Sequence, residues 1–174
     1  MMERARRERG RGFAGIDPNH AGLVEGSRKA AASEKKGGLP NARFVLAAAE
    51  GLPGPFVSCA TSLSILFPWG SLLRAAVLPE PWFLEAVRAM CVPGAQVEVT
   101  WSLDARDGGE LERLGLSGHE SGSTIAGWSH AGFDVDEVET LDAAGIRGYP
   151  TTWARKLSSG SGREASRVRM RMRG

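Results

Sequence analysis

A tryptophan at the junction between a predicted strand and a predicted helix constrains this chain more than any other feature. The apolar run at residues 63–66 is typical of a buried parallel strand, and residues 71–77 have the pattern of a helix start. Trp69 lies between them, and the backbone limits of Pro68 and Gly70 hold its indole in one place. Because ligands bind at the carboxyl ends of strands in open α/β sheets, Trp69 either binds a ligand or only plugs the end of the sheet.

Strand patterns alternate with helix patterns along the chain. This alternation predicts an α/β fold with a doubly wound, mostly parallel sheet, and the last two strands suit an antiparallel hairpin at its edge. A length of 174 residues with 42% hydrophobic content predicts one domain over residues 1–174. The predicted strands are 13–17, 43–48, 63–66, 96–101, 133–141 and 167–173, and the main predicted helices are 21–36, 71–77, 81–92 and 151–157.

Two further expectations concern the inward face of one helix and the segments with little predicted structure. Helix 21–36 is predicted to turn Leu23 and Val24 inward. Residues 103–132 are rich in glycine, serine and acidic residues, which predicts weak structure apart from a short helix near 111–114, and residues 158–162 are predicted to form a flexible loop.

The composition argues against several classes of protein. No apolar run approaches the length of a membrane span, and the first residues lack an apolar signal region, so we expect a soluble, cytoplasmic protein. A monomer is a separate expectation, which no residue pattern supports. Cys59 and Cys91 are far apart in sequence, and the three histidines lack the spacing of metal ligands. The sequence therefore indicates neither a disulfide nor a metal site.

The net charge of +2 conceals an uneven distribution. Residues 1–36 carry nine Lys or Arg against five Asp or Glu, residues 37–146 carry five against fourteen, and residues 147–174 carry eight against one. The two basic ends either form a surface that attracts a polyanion such as RNA or are simply solvated charge.

Three successive predicted strands end in a polar or aromatic residue: Asp17, Glu50 and Trp69. In nucleotide-binding α/β sheets, a carboxylate at such a strand end accepts hydrogen bonds from both ribose hydroxyls. Asp17 fits that role, and it equally fits an acid that favours the positive end of a helix dipole. The order of the three residues is more informative than any one of them.

Four motifs together resemble a known family: GIDPN at 15–19, AAAE at 47–50, FPWGSLLR at 67–74 and TTWARKL at 151–157. They resemble the aminoglycoside-resistance 16S rRNA (adenine-N1) methyltransferases, which modify the decoding-site adenine in the 30S subunit. The resemblance implies a class I methyltransferase that uses S-adenosylmethionine (SAM). It implies that Asp17 holds the cofactor ribose, that Ala49 and Glu50 border its adenine, and that Phe67 is a further cofactor contact.

The same resemblance implies how the RNA is held. Trp69 and Trp153 would stack on both faces of the flipped adenine, and Thr152 would help to shape the pocket. From the residues alone, a helix anchor buried against the sheet is the favoured interpretation of Trp153. The residues implied as candidates for phosphate contact are Arg28, Lys29, Lys35, Lys36, Arg155 and Arg163.

The chemistry of this reaction needs few catalytic groups. Adenine N1 is unprotonated at neutral pH and is already a nucleophile, so methyl transfer from a sulfonium needs alignment more than a general base. Because N1 lies on the Watson–Crick edge, the base must leave its stack, and aromatic side chains that replace the stacking stabilise it by about 1–3 kcal/mol per base.

The family resemblance also implies a strand and a glycine-rich turn ahead of the Asp17 strand. From this we expect a truncated or mis-started reading of a longer gene. Two alternatives stay open: a degenerate, non-catalytic RNA-binding module, and a methyltransferase for a small molecule, which the basic ends argue against.

Overall fold

A computed structural model describes residues 1–52, 54–104, 107–116, 121–159 and 162–174. The chain divides into two compact units, Met1–Pro53 and Gly54–Gly174, and each is described by itself. The single domain over residues 1–174 stays a prediction. The predicted loop at 158–162 lies partly outside the described residues.

The first unit is a parallel strand pair with two helices. β1 pairs with β2 in parallel, in a register that places Asp17 beside Leu46. A Cβ at Gly26 would lie 2.6 Å from ring atoms of Phe44, so glycine is what lets the second helix approach β2 this closely. The elements are α1 (Met2–Arg7), β1 (Phe13–Asp17), α2 (His20–Ala30) and β2 (Ala42–Leu46).

The helix predicted over residues 21–36 is too long. α2 ends at Ala30, and Glu34–Lys36 is a separate 3-10 turn. The chain folds back because Leu39 N donates to Ala30 O at 2.9 Å, which closes the helix end. Leu23 is buried as predicted, whereas Val24 is 46% exposed, so the prediction that Val24 points inward is wrong.

The second unit is a mixed four-stranded sheet in the order β3-β4-β6-β5. β3 and β4 are parallel, and β6 is antiparallel to both β4 and β5. The strands are β3 (Ala60–Leu66), β4 (Cys91–Trp101), β5 (Phe133–Leu141) and β6 (Ala165–Met172). The helices are α3 (Gly70–Val77), α4 (Pro81–Met90), α5 (Gly108–Leu114), α6 (Ser121–His130), α7 (Ala143–Arg147) and α8 (Thr152–Leu157).

The sheet topology confirms part of the predicted fold. The antiparallel hairpin of the last two strands is present, and the alternation of strands and helices is α/β. The described ladders form two sheets, and among the described strands β3 pairs only with β4, at the edge of the second sheet.

Helix α6 is the largest element that the sequence did not predict. Its Thr124 Oγ1 donates to Val77 O at 2.5 Å, and its Trp128 Nε1 donates to Ala76 O at 3.1 Å, so it satisfies carbonyls at the end of α3. Trp128 also packs edge-to-face on Phe83 and Phe133. Tertiary contacts therefore stabilise a helix in a segment whose glycine and serine content indicated weak structure.

None of the helices in the described ranges is long and apolar enough to cross a membrane.

Candidate functional site

Trp69 stands at the carboxyl end of β3, where the backbone turns sharply. Phe67 has φ of 51°, in the left-handed region that non-glycine residues rarely adopt, and its N donates to Thr100 O at 2.7 Å. Gly70 follows with φ of 58° and starts α3. This strained turn leaves the indole of Trp69 39% exposed.

Trp153 is presented by α8, and Thr151 fixes the start of that helix. Thr151 Oγ1 accepts a hydrogen bond from Ala154 N at 3.0 Å. Ala154 and Leu157 are buried on the inner side of α8, so Trp153 lies on the outer side and is 45% exposed. The interpretation that the residues alone favoured, a buried helix anchor, is therefore wrong for Trp153.

The two indoles lie against each other. Their ring centroids are 5.4 Å apart, with 38° between the ring planes. A base stacked between two rings needs centroids about 7 Å apart, twice the ~3.4 Å step of a nucleic-acid stack. The rings are therefore in contact, with no gap for a base at this separation, and the role of Trp69 and Trp153 in holding a base stays a prediction.

The outer face of α8 carries positive charge beside the tryptophan pair. Lys156 Nζ lies 5.1 Å from the ring centroid of Trp153, a cation–π contact that the sequence prediction missed. The spacing of three residues on one helix was the signal that could have found it. Arg155 and Thr152 are both exposed on the same helix, and their roles stay predictions.

Phe67 does not face an open site with its side chain. The ring is 4% exposed and packs in an apolar cluster with Leu141, Ile146 and Ala165. It also meets Tyr149 edge-to-face, with centroids 5.4 Å apart. Any contact that Phe67 makes with a cofactor would therefore come from its backbone.

Asp17 lies in the first unit, at the carboxyl end of β1. Its Oδ1 accepts a hydrogen bond from Asn19 N at 2.7 Å, and no described donor contacts its Oδ2. The neighbouring strand β2 ends at Leu46, and the 3-10 turn Ala49–Gly51 follows soon after, with Ala49 half-buried and Glu50 exposed. The structure thus keeps a carboxylate oxygen of Asp17 available at a strand end.

The basic candidates of the first unit lie on its surface. Arg28, Lys29, Lys35 and Lys36 are all exposed. Lys29 forms a 2.5 Å ion pair with Glu25, one helical turn away, so part of its charge is already compensated. Exposed pairs of this kind are weak and easily exchanged for a phosphate.

Arg163 is engaged inside the second unit. Its side chain is only 12% exposed, its Nη2 lies 2.8 Å from Asp107 Oδ1, and its Nε lies 3.9 Å from Asp104 Oδ2. Removing a guanidinium from two carboxylates is costly, because the acids would remain partly buried without their partner. The structure therefore favours a role for Arg163 in holding Asp104 and Asp107, not in contacting phosphate.

Tyr149 connects the sheet to the segment ahead of α8. Its hydroxyl donates to Glu98 Oε1 at 3.0 Å and lies 3.1 Å from Thr100 Oγ1. Burial raises the pKa of Tyr149 above its ordinary value, and the negative charge of Glu98 adds to the effect. The hydroxyl therefore keeps its proton at neutral pH.

One cavity and the two cysteines lie outside the set of predicted site residues. A cavity of about 530 Å³ opens in the first unit between the end of α2 and β2, and no predicted site residue lines it. Cys59 and Cys91 are free thiols, and burial raises the pKa of Cys91 to about 11. The described residues contain no cluster of three metal-ligating side chains.

Nearly the whole chain matches one protein family. The family described as NpmA, 16S rRNA (adenine(1408)-N(1))-methyltransferase, matches residues 1–172. This chain belongs to that family. The resemblance inferred from four motifs is thereby confirmed.

Individual members of the family are similar to the chain in sequence and in fold. A 16S rRNA (adenine(1408)-N(1))-methyltransferase from Escherichia coli is 36% identical over 162 residues, which cover 90% of this chain and 74% of that protein. The crystal structure of the aminoglycoside resistance methyltransferase NpmB1 is 37% identical, with a TM-score of 0.81 over 98% of this chain and 80% of that one.

A third relative was solved with its cosubstrate. It is a tryptophan-to-alanine mutant of the 16S rRNA (adenine(1408)-N(1))-methyltransferase from Catenulisporales acidiphilia, with SAM. It is 27% identical, with a TM-score of 0.84, and the match covers 99% of this chain and 80% of that one. The α/β fold is therefore that of class I SAM methyltransferase structures.

Proposed function

We propose that this chain transfers a methyl group from SAM to N1 of adenine 1408 in 16S rRNA of the 30S subunit and so confers aminoglycoside resistance. The observation that carries the proposal is an exposed tryptophan pair in a chain whose residues 1–172 match this family. Single, scattered apolar residues on a surface need no explanation, but two indoles in contact form a stacking platform.

The base is held by Trp69 and Trp153, one on each face. Each indole replaces part of the stacking that the adenine loses when it leaves the RNA, and about 1–3 kcal/mol per base is at stake. Lys156 and Arg155 stand on the same helix, where their charge attracts the phosphates that flank the flipped nucleotide. Thr152 borders the base at the first turn of α8.

The cofactor is held by strand-end residues of the first unit. These residues fit a nucleoside. Asp17 Oδ2 accepts no hydrogen bond from a described residue, and a carboxylate can accept hydrogen bonds from both ribose hydroxyls. Ala49 and Glu50 border the adenine of the cofactor, and Phe67 contributes its backbone. SAM supplies the electrophilic methyl group, and no residue of the chain has to remove a proton.

Binding of the subunit relies on the exposed cations of the first unit. Arg28, Lys29, Lys35 and Lys36 contact phosphates, which carry most of the affinity between proteins and nucleic acids. Arg163 is left out of this set because two aspartates already hold it.

The finer architecture is part of the same proposal. A single domain over residues 1–174 with a doubly wound sheet, as in open α/β folds, remains our proposal. We propose a monomer that acts in the cytoplasm, where its ribosomal substrate is found.

Incubation with purified 30S subunits and SAM carrying a labelled methyl group tests the proposal. Nuclease digestion and mass spectrometry should give 1-methyladenosine at position 1408, and a host that expresses the chain should grow at higher aminoglycoside concentrations. Subunit binding without methyl transfer would favour the non-catalytic RNA-binding module. Methylation of a small molecule and not of 30S subunits would favour the third alternative.

A further inference from the structure

Tyr149 is the one tyrosine of the chain and lies between α7 and α8, within the second unit. Its hydroxyl has one proton, which it donates to Glu98, so the hydroxyl of Thr100 donates to the tyrosine oxygen. Thr100 is fully buried and Glu98 also binds Arg169. The tyrosine oxygen is therefore anchored to β4 by two hydrogen bonds, and Arg167 of β6 hydrogen-bonds to it as well.

The ring of Tyr149 reaches the turn that presents Trp69. It meets Phe67 edge-to-face, with an angle of 86° between the planes. Phe67 lies two residues before Trp69 and holds the left-handed backbone that starts the turn. Aromatic pairs of this geometry resist rotation and displacement, so the position of the Phe67 ring depends on that of Tyr149.

The backbone of Tyr149 reaches the helix that presents Trp153. Tyr149 O accepts a hydrogen bond from Thr151 N at 2.8 Å, and Thr151 in turn caps α8 through Ala154 N. The inner side of α8 packs in the same apolar cluster as Phe67. Displacement of Tyr149 would thus shift the start of α8 as well as the turn before Trp69.

We propose that Tyr149 is a positioning residue that fixes the two backbone segments from which Trp69 and Trp153 project, so that the indoles meet in the free protein and separate by side-chain rotation when a base enters. One side chain, tied to β4 by its hydroxyl, supports both of the segments that carry the indoles. The consequence for methyl transfer rests on the proposed function, whereas the consequence for the tryptophan pair does not. A tyrosine that merely filled space would be replaced by phenylalanine without effect on either.

Circular dichroism of the whole chain tests the positioning directly. Two indoles in contact give an exciton couplet, and the Trp153→Phe variant supplies the spectrum without it. The test variants are Tyr149→Phe, which removes only the hydroxyl, and Tyr149→Leu, which removes the ring. The matched control is Thr124→Val, which loses a buried hydroxyl bond to Val77 O in the same unit, away from the indoles.

The expected result is a weakened couplet in Tyr149→Phe, a weaker one still in Tyr149→Leu, and an unchanged one in Thr124→Val. In the methyl-transfer assay, Tyr149→Phe should lower kcat by up to about 100-fold, because a misplacement of about 1 Å costs that much, with little change in the affinity for SAM.

A full couplet in both Tyr149 variants would overturn the proposal, and so would equal loss of the couplet in the Thr124→Val control. If the wild-type chain transfers no methyl group, the proposed function fails, but the couplets still decide whether Tyr149 fixes the two segments.

Discussion

Arg169 on β6 donates from Nε to Oε2 of Glu98, 3.0 Å away on the neighbouring strand β4. The same pattern runs along β6, where the arginines alternate with buried apolar residues. The other pairs are Arg167 with Glu139, Arg171 with Asp136, and Arg173 with Asp134. The positive charge at the end of the chain is therefore balanced in part by carboxylates of β4 and β5.

This pairing predicts that the two basic ends of the chain differ in RNA binding. Replacing Lys29, Lys35 and Lys36 together by Gln should weaken binding to 30S subunits and reduce the slope of log affinity against log salt by about 2–3. The reason is that a protein with fewer phosphate contacts releases fewer counterions from the RNA when it binds. Filter binding over a series of salt concentrations measures the slope.

The matched control replaces Arg171 and Arg173 by Gln, since each is paired with an aspartate, whereas Lys35 and Lys36 form no ion pair among the described residues. Its slope should equal that of the wild type. An unchanged slope in the lysine variant would make those lysines solvated charge, and a reduced slope in the arginine variant would restore the idea of a basic carboxyl-terminal surface.

Arg163 should matter for stability instead of affinity. Arg163→Gln leaves Asp104 and Asp107 without their guanidinium, and the loss of a hydrogen bond between charged groups costs about 2 kcal/mol. Urea unfolding should therefore show a lower midpoint, while the salt dependence of subunit binding stays as in the wild type. A reduced slope with unchanged unfolding would return Arg163 to the set of phosphate contacts.

Tyr149 makes the alkaline limit of stability measurable. Its pKa is raised above the ordinary value of 10.0, so the folded state holds the proton more tightly than the unfolded state. The stabilisation from this group is complete below pH 10.0 and is lost as the pH rises through the folded pKa.

Because the chain has one tyrosine, the absorbance of tyrosinate reports this group alone. The midpoint should lie above 10.0 in the folded protein, return to that value in denaturant, and fall in Glu98→Gln, which removes the neighbouring negative charge. A folded-state midpoint at or below 10.0 would mean that the hydroxyl is not buried as the structure has it.

Local patterns predicted β5 and β6 well, whereas β4 begins at Cys91, inside the helix predicted over residues 81–92. The alternation of apolar and charged residues in β5 and β6 matches the two faces of a sheet, so Phe133–Leu141 and Ala165–Met172 follow the predicted segments closely. The motifs also located Trp69 and Trp153, because each stands where a turn meets a helix.

Features that depend on distant partners were not predictable in the same way. Helix α6 is held by carbonyls of α3, some fifty residues earlier in sequence, and nothing in its own composition announces this. Likewise, Arg163 resembles a free cation in sequence until Asp107 is placed beside it. The sequence shows which residues are charged, but not which of them form ion pairs in the folded protein.

Reverse transcription tests most directly whether the tryptophan pair holds the base. A methyl group on N1 blocks the Watson–Crick edge, so reverse transcription of 16S rRNA from treated 30S subunits stops at adenine 1408. We predict a strong stop with the wild-type chain and with the control Trp82→Phe, whose indole contacts Glu80 instead of the pair. We predict none with Trp69→Ala or Trp153→Ala, although both bind SAM as the wild type does. A full stop with either alanine variant would contradict the proposal that the two indoles hold the base.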